Sequence, residues 1–306
     1  MILLLTMTGC CTSDALAQIC EQRNIPLFRF NLDRYNEYQF LWTLQGFEII
    51  DPTGRSISSS QITAAACYKA LLPYGEKMPF SYLVDGEDEW VKSCLNYITN
   101  SLANWLKNRN LLRLWDCTEI KYFKVKQMEL AQKYFAVPEF MIHWGFHLTG
   151  KEVVAKTLTQ RFFTDQKFAY VTKVDRNTLD PVYPWFTQDI APGSRDATVV
   201  YINGHVHCYQ FATERGELTN WRVTQGSDRN QWIPWNAGKV FEEKVDAYMK
   251  ELGLKFGRLD FIIGGAEVQF LEVNPCGQFG WLDDRKLTLH NEVVDAILDP
   301  ESTVAL

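Results

Sequence analysis

Three oxygen-bearing side chains stand at spacings that let them meet: Asp260, Glu272 and Asn274. Glu272 and Asn274 are two residues apart in the apolar run Phe-Leu-Glu-Val-Asn (270–274), so on a strand they share one face while Leu271 and Val273 point to the other. Asp260 lies in Leu-Asp-Phe-Ile-Ile (259–263), and Gly264 and Gly265 give the chain a place to fold back. A connection of about three residues lays Asp260 opposite Glu272. Two carboxylates and an amide on one surface suit magnesium, which fills its octahedron with water and substrate phosphate. The same residues also describe an edge hairpin with polar groups facing water, because Asn274-Pro275 is ordinary turn chemistry.

Asp260 followed by Leu-Glu-Val-Asn-Pro (271–275) resembles the metal-binding end of the ATP-grasp ligases. The continuation Cys-Gly-Gln-Phe-Gly-Trp-Leu (276–282) is similar to one branch of them, the graspetide synthetases, microviridin-type maturases that cross-link side chains of a ribosomally made precursor peptide. The resemblance covers nearly the whole chain, most strongly 257–283 and least in the middle. It implies an α/β (α+β) chain of the ATP-grasp fold, with an N-terminal α/β domain (1–112), a central lobe (113–186) and a C-terminal lobe (187–306), and nucleotide between the last two. It further implies ATP and Mg2+ as cofactors, a precursor peptide of leader plus core as partner, and a homodimer.

Site residues follow from the same resemblance. Lys124 matches the lysine that meets nucleotide phosphate ahead of a helix, with Lys121 and Lys126 as rivals. Lys156, inside the β-branched run Val-Val-Ala-Lys-Thr (153–157), matches a second phosphate-binding lysine; on its own chemistry it either snorkels or meets an anion. Residues 159–175 contain no glycine, so a Gly-rich phosphate cradle is excluded there and Arg161 or Lys167 is left to cover phosphate. Gln188, Asp189 and Ile190 match the segment whose backbone reads adenine. Asp196 opens an acidic-x-arginine pattern in which Thr198 stands where arginine is expected, with Arg195 as a substitute. Arg222, in Asn220-Trp221-Arg222, matches the arginine that holds the acceptor carboxylate through a planar fork.

The chemistry these groups imply is carboxylate activation. A carboxylate does not acylate an alcohol or amine unaided, and ATP converts it to an acyl phosphate that a hydroxyl or amine then attacks. Both groups on one peptide give an ester or amide macrocycle. Two other readings stay open: a ligase joining a free amino acid or small amine to a carboxylate, and a nucleotide- or peptide-binding module without catalysis.

Several elements must position these residues. Strands are expected at 2–7, 26–30, 64–72 and 152–158, with 40–50 and 56–60 forming a hairpin around Pro-Thr-Gly (52–54). Helices are expected at 12–21, 85–108, 125–135 and 239–252, the last with Val240, Val245, Tyr248, Met249 and Leu252 on its apolar side. Asn203-Gly204 marks a type I′ hairpin within 195–211. His205 and His207 share a face of that hairpin, as a metal pair or a polar cross-strand face. Trp221, Trp232 and Trp235 either line a peptide surface or pack in the core.

The chain has 306 residues, 46% of them hydrophobic, enough for two or three lobes. A net charge of −6 disfavours nucleic-acid or anionic-membrane surfaces. The opening Met-Ile-Leu-Leu-Leu-Thr is far shorter than the roughly 20 apolar residues of a membrane span. Eight cysteines without Cys-x-x-Cys spacing lead us to expect reduced thiols and a cytoplasmic protein.

Overall fold

The computed structural model describes residues 1–70, 87–116, 123–147, 150–156, 162–163, 167–168, 172–214, 231–264 and 267–301. The first sheet is parallel, in the order β2-β1-β6-β7, built from β1 (Ile2–Thr6), β2 (Leu27–Asn31), β6 (Ala64–Cys67) and β7 (Leu112–Leu114). All five residues of β1 are buried, as a parallel strand covered on both faces requires. One face is covered by α1 (Cys11–Gln22), the other by α2 (Glu87–Lys107) and a small antiparallel sheet of β3 (Gln39–Thr43), β4 (Gly46–Ile50) and β5 (Ser56–Ser58). The stretch expected as one strand over 40–50 is therefore two. The chain reverses at Leu44 and Gln45, where Gly46 takes φ +135°.

The central lobe holds an antiparallel sheet in the order β12-β9-β13-β8, from β8 (Phe140–His143), β9 (Glu152–Lys156), β12 (Thr172–Asp175) and β13 (Trp185–Asp189). The pair β10 (Phe162–Phe163) and β11 (Lys167–Phe168) stands beside them in sequence. The helix expected at 125–135 is α3 (Phe123–Ala131), so Lys124 sits in its first turn rather than before it.

The third sheet runs β16-β15-β14-β17-β18, from β14 (Arg195–Ile202), β15 (His205–Phe211), β16 (Trp232–Pro234), β17 (Phe256–Gly264) and β18 (Glu267–Asn274). Asn203 and Gly204 both take positive φ, +46° and +99°, as the expected turn demands. One face packs on α3 and α4 (Lys239–Leu252), which buries Val245, Tyr248, Met249 and Leu252 but leaves Val240 68% exposed. Trp232 packs on Phe211 at 5.3 Å and Trp235 on Phe241 at 5.1 Å, so both serve packing.

A further helix, α5 (Thr288–Leu298), was not anticipated. It packs against α1, β6 and β7 of the first lobe and β14 of the third, so one apolar cluster spans both. β7 straddles residue 112 and β13 straddles 186, the expected lobe boundaries. Among the described residues no helix is long and apolar enough to cross a membrane.

Candidate active site

The hairpin β17–β18 brings the three oxygen-bearing side chains together by a route the sequence did not disclose. Gly264 pairs with Glu267, so the strands are joined by two residues rather than about three, and regular pairing would then set Leu271 against Asp260. A β-bulge at Asp260/Phe261 absorbs the extra residue, and Asp260 pairs with Glu272 and Arg258 with Asn274. The packing agrees: Phe270 and Val273, three apart, belong to the same core cluster, which an unbulged strand forbids. Arg258, Asp260, Glu272 and Asn274 thus share the opposite face.

Around them the polar bonds are specific. Asp260 Oδ1 accepts from Thr198 Oγ1 at 3.0 Å and Oδ2 from Arg258 Nη2 at 3.0 Å. Lys124 Nζ stands 3.4 Å from Glu272 Oε2 and 5.1 Å from the centre of the Phe186 ring, joining α3 and β13 to β18. On the central sheet Lys156 pairs with Phe186, and its Nζ donates to Gln188 Oε1 at 3.0 Å. Phe186 therefore stands between two polar pairs, Lys124 with Glu272 and Lys156 with Gln188. Asn274 Oδ1 also accepts from Cys276 N at 3.2 Å, so the turn chemistry is present as well.

Other expected residues lie differently. Asp189 directs its carboxylate to Lys151 at 2.6 Å and Arg176 at 3.6 Å, and Ile190 follows the strand, 37% exposed. Asp196 is buried. Arg195, an odd number of residues from Thr198, projects from the other face of β14, and its guanidinium meets Ala212 O at 3.2 Å and Glu214 at 3.6 Å, away from Asp260. Lys126 is exposed on α3. Lys121, Arg161, Trp221 and Arg222, and the side chain of Lys167, lie outside the described residues. His205 and His207 do share a face, but both turn to Glu292 of α5, with His207 Nε2 at 2.5 Å. Through Glu292 the pair ties β15 to α5.

Sequence reasoning missed Arg258, which sits one residue before the strand start it placed at Leu259. It also missed the support beneath the turn. Asp283, its side chain buried, accepts from Leu289 N at 2.9 Å, His290 N at 3.1 Å and His290 Nδ1 at 2.5 Å, and the His290 ring lies 4.6 Å from Phe279. Burial pushes the Asp283 carboxyl up, but these donors, His290 foremost, outweigh it and hold it below the usual carboxylate range. Its stabilisation is therefore complete above the unfolded value of about 3.9 and is lost as pH falls through the lower folded value. Asp283→Ala should cost about 3–5 kcal/mol, as removal of one partner of a buried pair does, and should abolish this acid transition in near-ultraviolet circular dichroism.

The donor set of Asp260, Glu272 and Asn274 suits a hard cation that keeps water and phosphate ligands. Bound there, magnesium would supply charge neutralisation and alignment of phosphate oxygens.

No family model matches the chain, and no curated protein matches it. Solved structures do. An ATP-grasp ligase associated with ribosomally synthesised, modified peptides from Chryseobacterium gregarium, in complex with ADP and a leader and core peptide, superposes with TM-score 0.80 at 18% identity, covering 97% of this chain and 96% of that one. The macrocyclase MdnC from Microcystis aeruginosa, bound with its precursor peptide, gives 0.76 at 19% identity over 98% and 100%. A D-alanine–D-alanine ligase from Bacillus anthracis gives 0.54 at 12% identity over 97% and 95%. With these superpositions over nearly the whole chain, and with Lys124 reaching Glu272 of the last hairpin, the chain has the ATP-grasp fold.

Proposed function

We propose that this protein is a graspetide synthetase: an ATP-dependent maturase that activates Asp or Glu side chains of a precursor peptide as acyl phosphates and closes them onto hydroxyls or amines of the same peptide. The observation that carries this reading is the meeting of Lys124 with Glu272, which links a phosphate-type cation of one lobe to a metal-type carboxylate of another. The peptide-bound ligase neighbours, matched over nearly their whole length, support the peptide substrate.

In this reading Lys124 and Lys156 offset phosphate charge, Gln188, Asp189 and Ile190 flank the adenine, and Asp260, Glu272 and Asn274 hold magnesium. Arg222, assisted by Asp196, orients the acceptor carboxylate, while the placement of Arg195 argues against its sharing that role. We further propose lobes at 1–112, 113–186 and 187–306, a homodimer and a cytoplasmic location.

The test is product mass. Coexpressed with short reading frames encoded beside its gene, the protein should remove one water, about 18 Da, from a peptide for each cross-link, because the acyl phosphate ends as phosphate plus an ester or amide. A mass gain equal to an added amino acid would establish the amino-acid ligase instead.

A further inference from the structure

We propose that Gln127 is a positioning residue: through one side-chain bond to the backbone of β18 it sets the spacing between the lysine of α3 and the oxygen-bearing side chains of the last hairpin. The inference rests on the magnesium–nucleotide reading of the site.

β18 is the outer strand of its sheet, so the N–H groups on its outer edge have no neighbouring strand to meet. Two of them are met by the segment that runs from α3 into β8. Phe270 N donates to Ala136 O at 2.8 Å, and Val273 N donates to Gln127 Oε1 at 3.2 Å. Residues three apart turn their N–H groups to opposite edges of a regular strand, and the bulge between these two brings both to the outer edge. Val273 is 3% exposed and Gln127 5%, so this N–H needs a protein acceptor. The carbonyls of a helix are occupied by its own turns, and Gln127 O accepts from Tyr248 OH at 3.3 Å besides. A side chain of α3 therefore supplies the acceptor.

The place of this bond decides its role. Val273 lies between Glu272 and Asn274, and Gln127 follows Lys124 by three residues, on the same side of α3. One bond thus ties the backbone between two candidate magnesium ligands to the helix that carries the candidate phosphate lysine. The direct contact of Lys124 with Glu272, at 3.4 Å, cannot keep that spacing once ligands are bound, because the lysine then turns to phosphate and the carboxylate to magnesium. The Gln127 bond can. Both of its residues are buried, the Val273 side chain belongs to the core, and neither residue is a candidate ligand. Outer partners of this kind hold metal ligands in place, and their loss commonly costs about 10–100-fold in metal affinity.

The probes are ADP and magnesium. ADP is titrated calorimetrically at a series of free-magnesium concentrations, from excess chelator upward, which gives the metal-free affinity for ADP and the magnesium concentration that half-saturates the site. Q127M keeps the length of the side chain and removes its amide acceptor. It should raise the half-saturating magnesium concentration about 10–100-fold. Metal-free ADP affinity should stay within about 3-fold, because Lys124, Lys156 and Gln188 are untouched. Q127E keeps an oxygen at the same reach and should return the magnesium requirement to within about 3-fold of wild type. If Q127M does not keep its fold, Q127N decides, since its amide falls one methylene short of Val273 N and the same rise is expected. A folded Q127M or Q127N with a lowered unfolding temperature but an unchanged magnesium requirement overturns the proposal, and makes Gln127 a core cap only. So does an equal fall in metal-free ADP affinity, or a folded Q127E that restores nothing. A wild type whose ADP binding ignores magnesium removes the site reading itself, and this inference with it.

Discussion

Glu272→Gln and Asn274→Ala should each lower ATP-dependent turnover by about 10²–10³-fold or more while leaving the protein folded. Glutamine keeps the shape of Glu272 and removes its charge, so it tests the ligand role without opening a void. Both residues are half-buried at the end of an edge strand, where neither belongs to an apolar cluster. The unfolding temperature should therefore move by no more than about 2–4 °C, roughly the effect of 1 kcal/mol. Turnover, magnesium-dependent binding of an ATP analogue and thermal unfolding on the same preparations form the test. Normal turnover by both folded variants would remove Glu272 and Asn274 from the metal site.

Gly277→Ala, one methyl group outside the proposed ligand set, should also be severe. Its Cβ would stand 2.7 Å from Arg258 Cβ, 3.2 Å from Asn274 O and 3.3 Å from Asn274 Cβ. None of these is the free end of a flexible side chain, so relief requires the turn or the β17 backbone to shift. Overpacking of this kind costs about 1–3 kcal/mol. A displacement near 1 Å of a positioning group lowers rates about 10²-fold. Turnover should fall by about that factor with the chain still folded. The contrast is Gly204→Ala, where no atom lies within 4 Å of the added Cβ and only the φ of +99° opposes it. That variant should lose stability and keep its rate, and equal rate losses in the two would refute the steric account.

Much of the site was legible because its signals are local. The Asn203-Gly204 turn, the alternation that pairs Glu272 with Asn274 and the amphipathic α4 are each fixed by neighbours in sequence. The bulge was not legible, since a two-residue loop with one extra strand residue and a three-residue loop with none both place Asp260 opposite Glu272. Only the packing of Phe270 and Val273 in one core separates them. Arg258 escaped notice because an arginine in an apolar strand announces nothing until its cross-strand partners are known. Helix α5 was missed for a similar reason. Asp283 and Asp284 precede it, but their caps reach Leu289, His290 and Thr288 across a turn in which Leu287 is left-handed.

The packing of α5 on the first lobe also fixes when the turn beside Glu272 and Asn274 is supported. Strand β1 pairs with β6 early in the chain, but the glycine turn after Asn274 is held by Tyr68 OH on Gly277 O and by the ring of His290, itself bonded to Asp283, against Phe279. Tyr68 and Gly277 are 209 residues apart in sequence. During synthesis β14 to β18 can pair locally while the turn after Asn274 still lacks its support, because residues 288–298 leave the ribosome after the elements they pack against. The turn beside Glu272 and Asn274 thus gains its full support only once α5 has docked on α1.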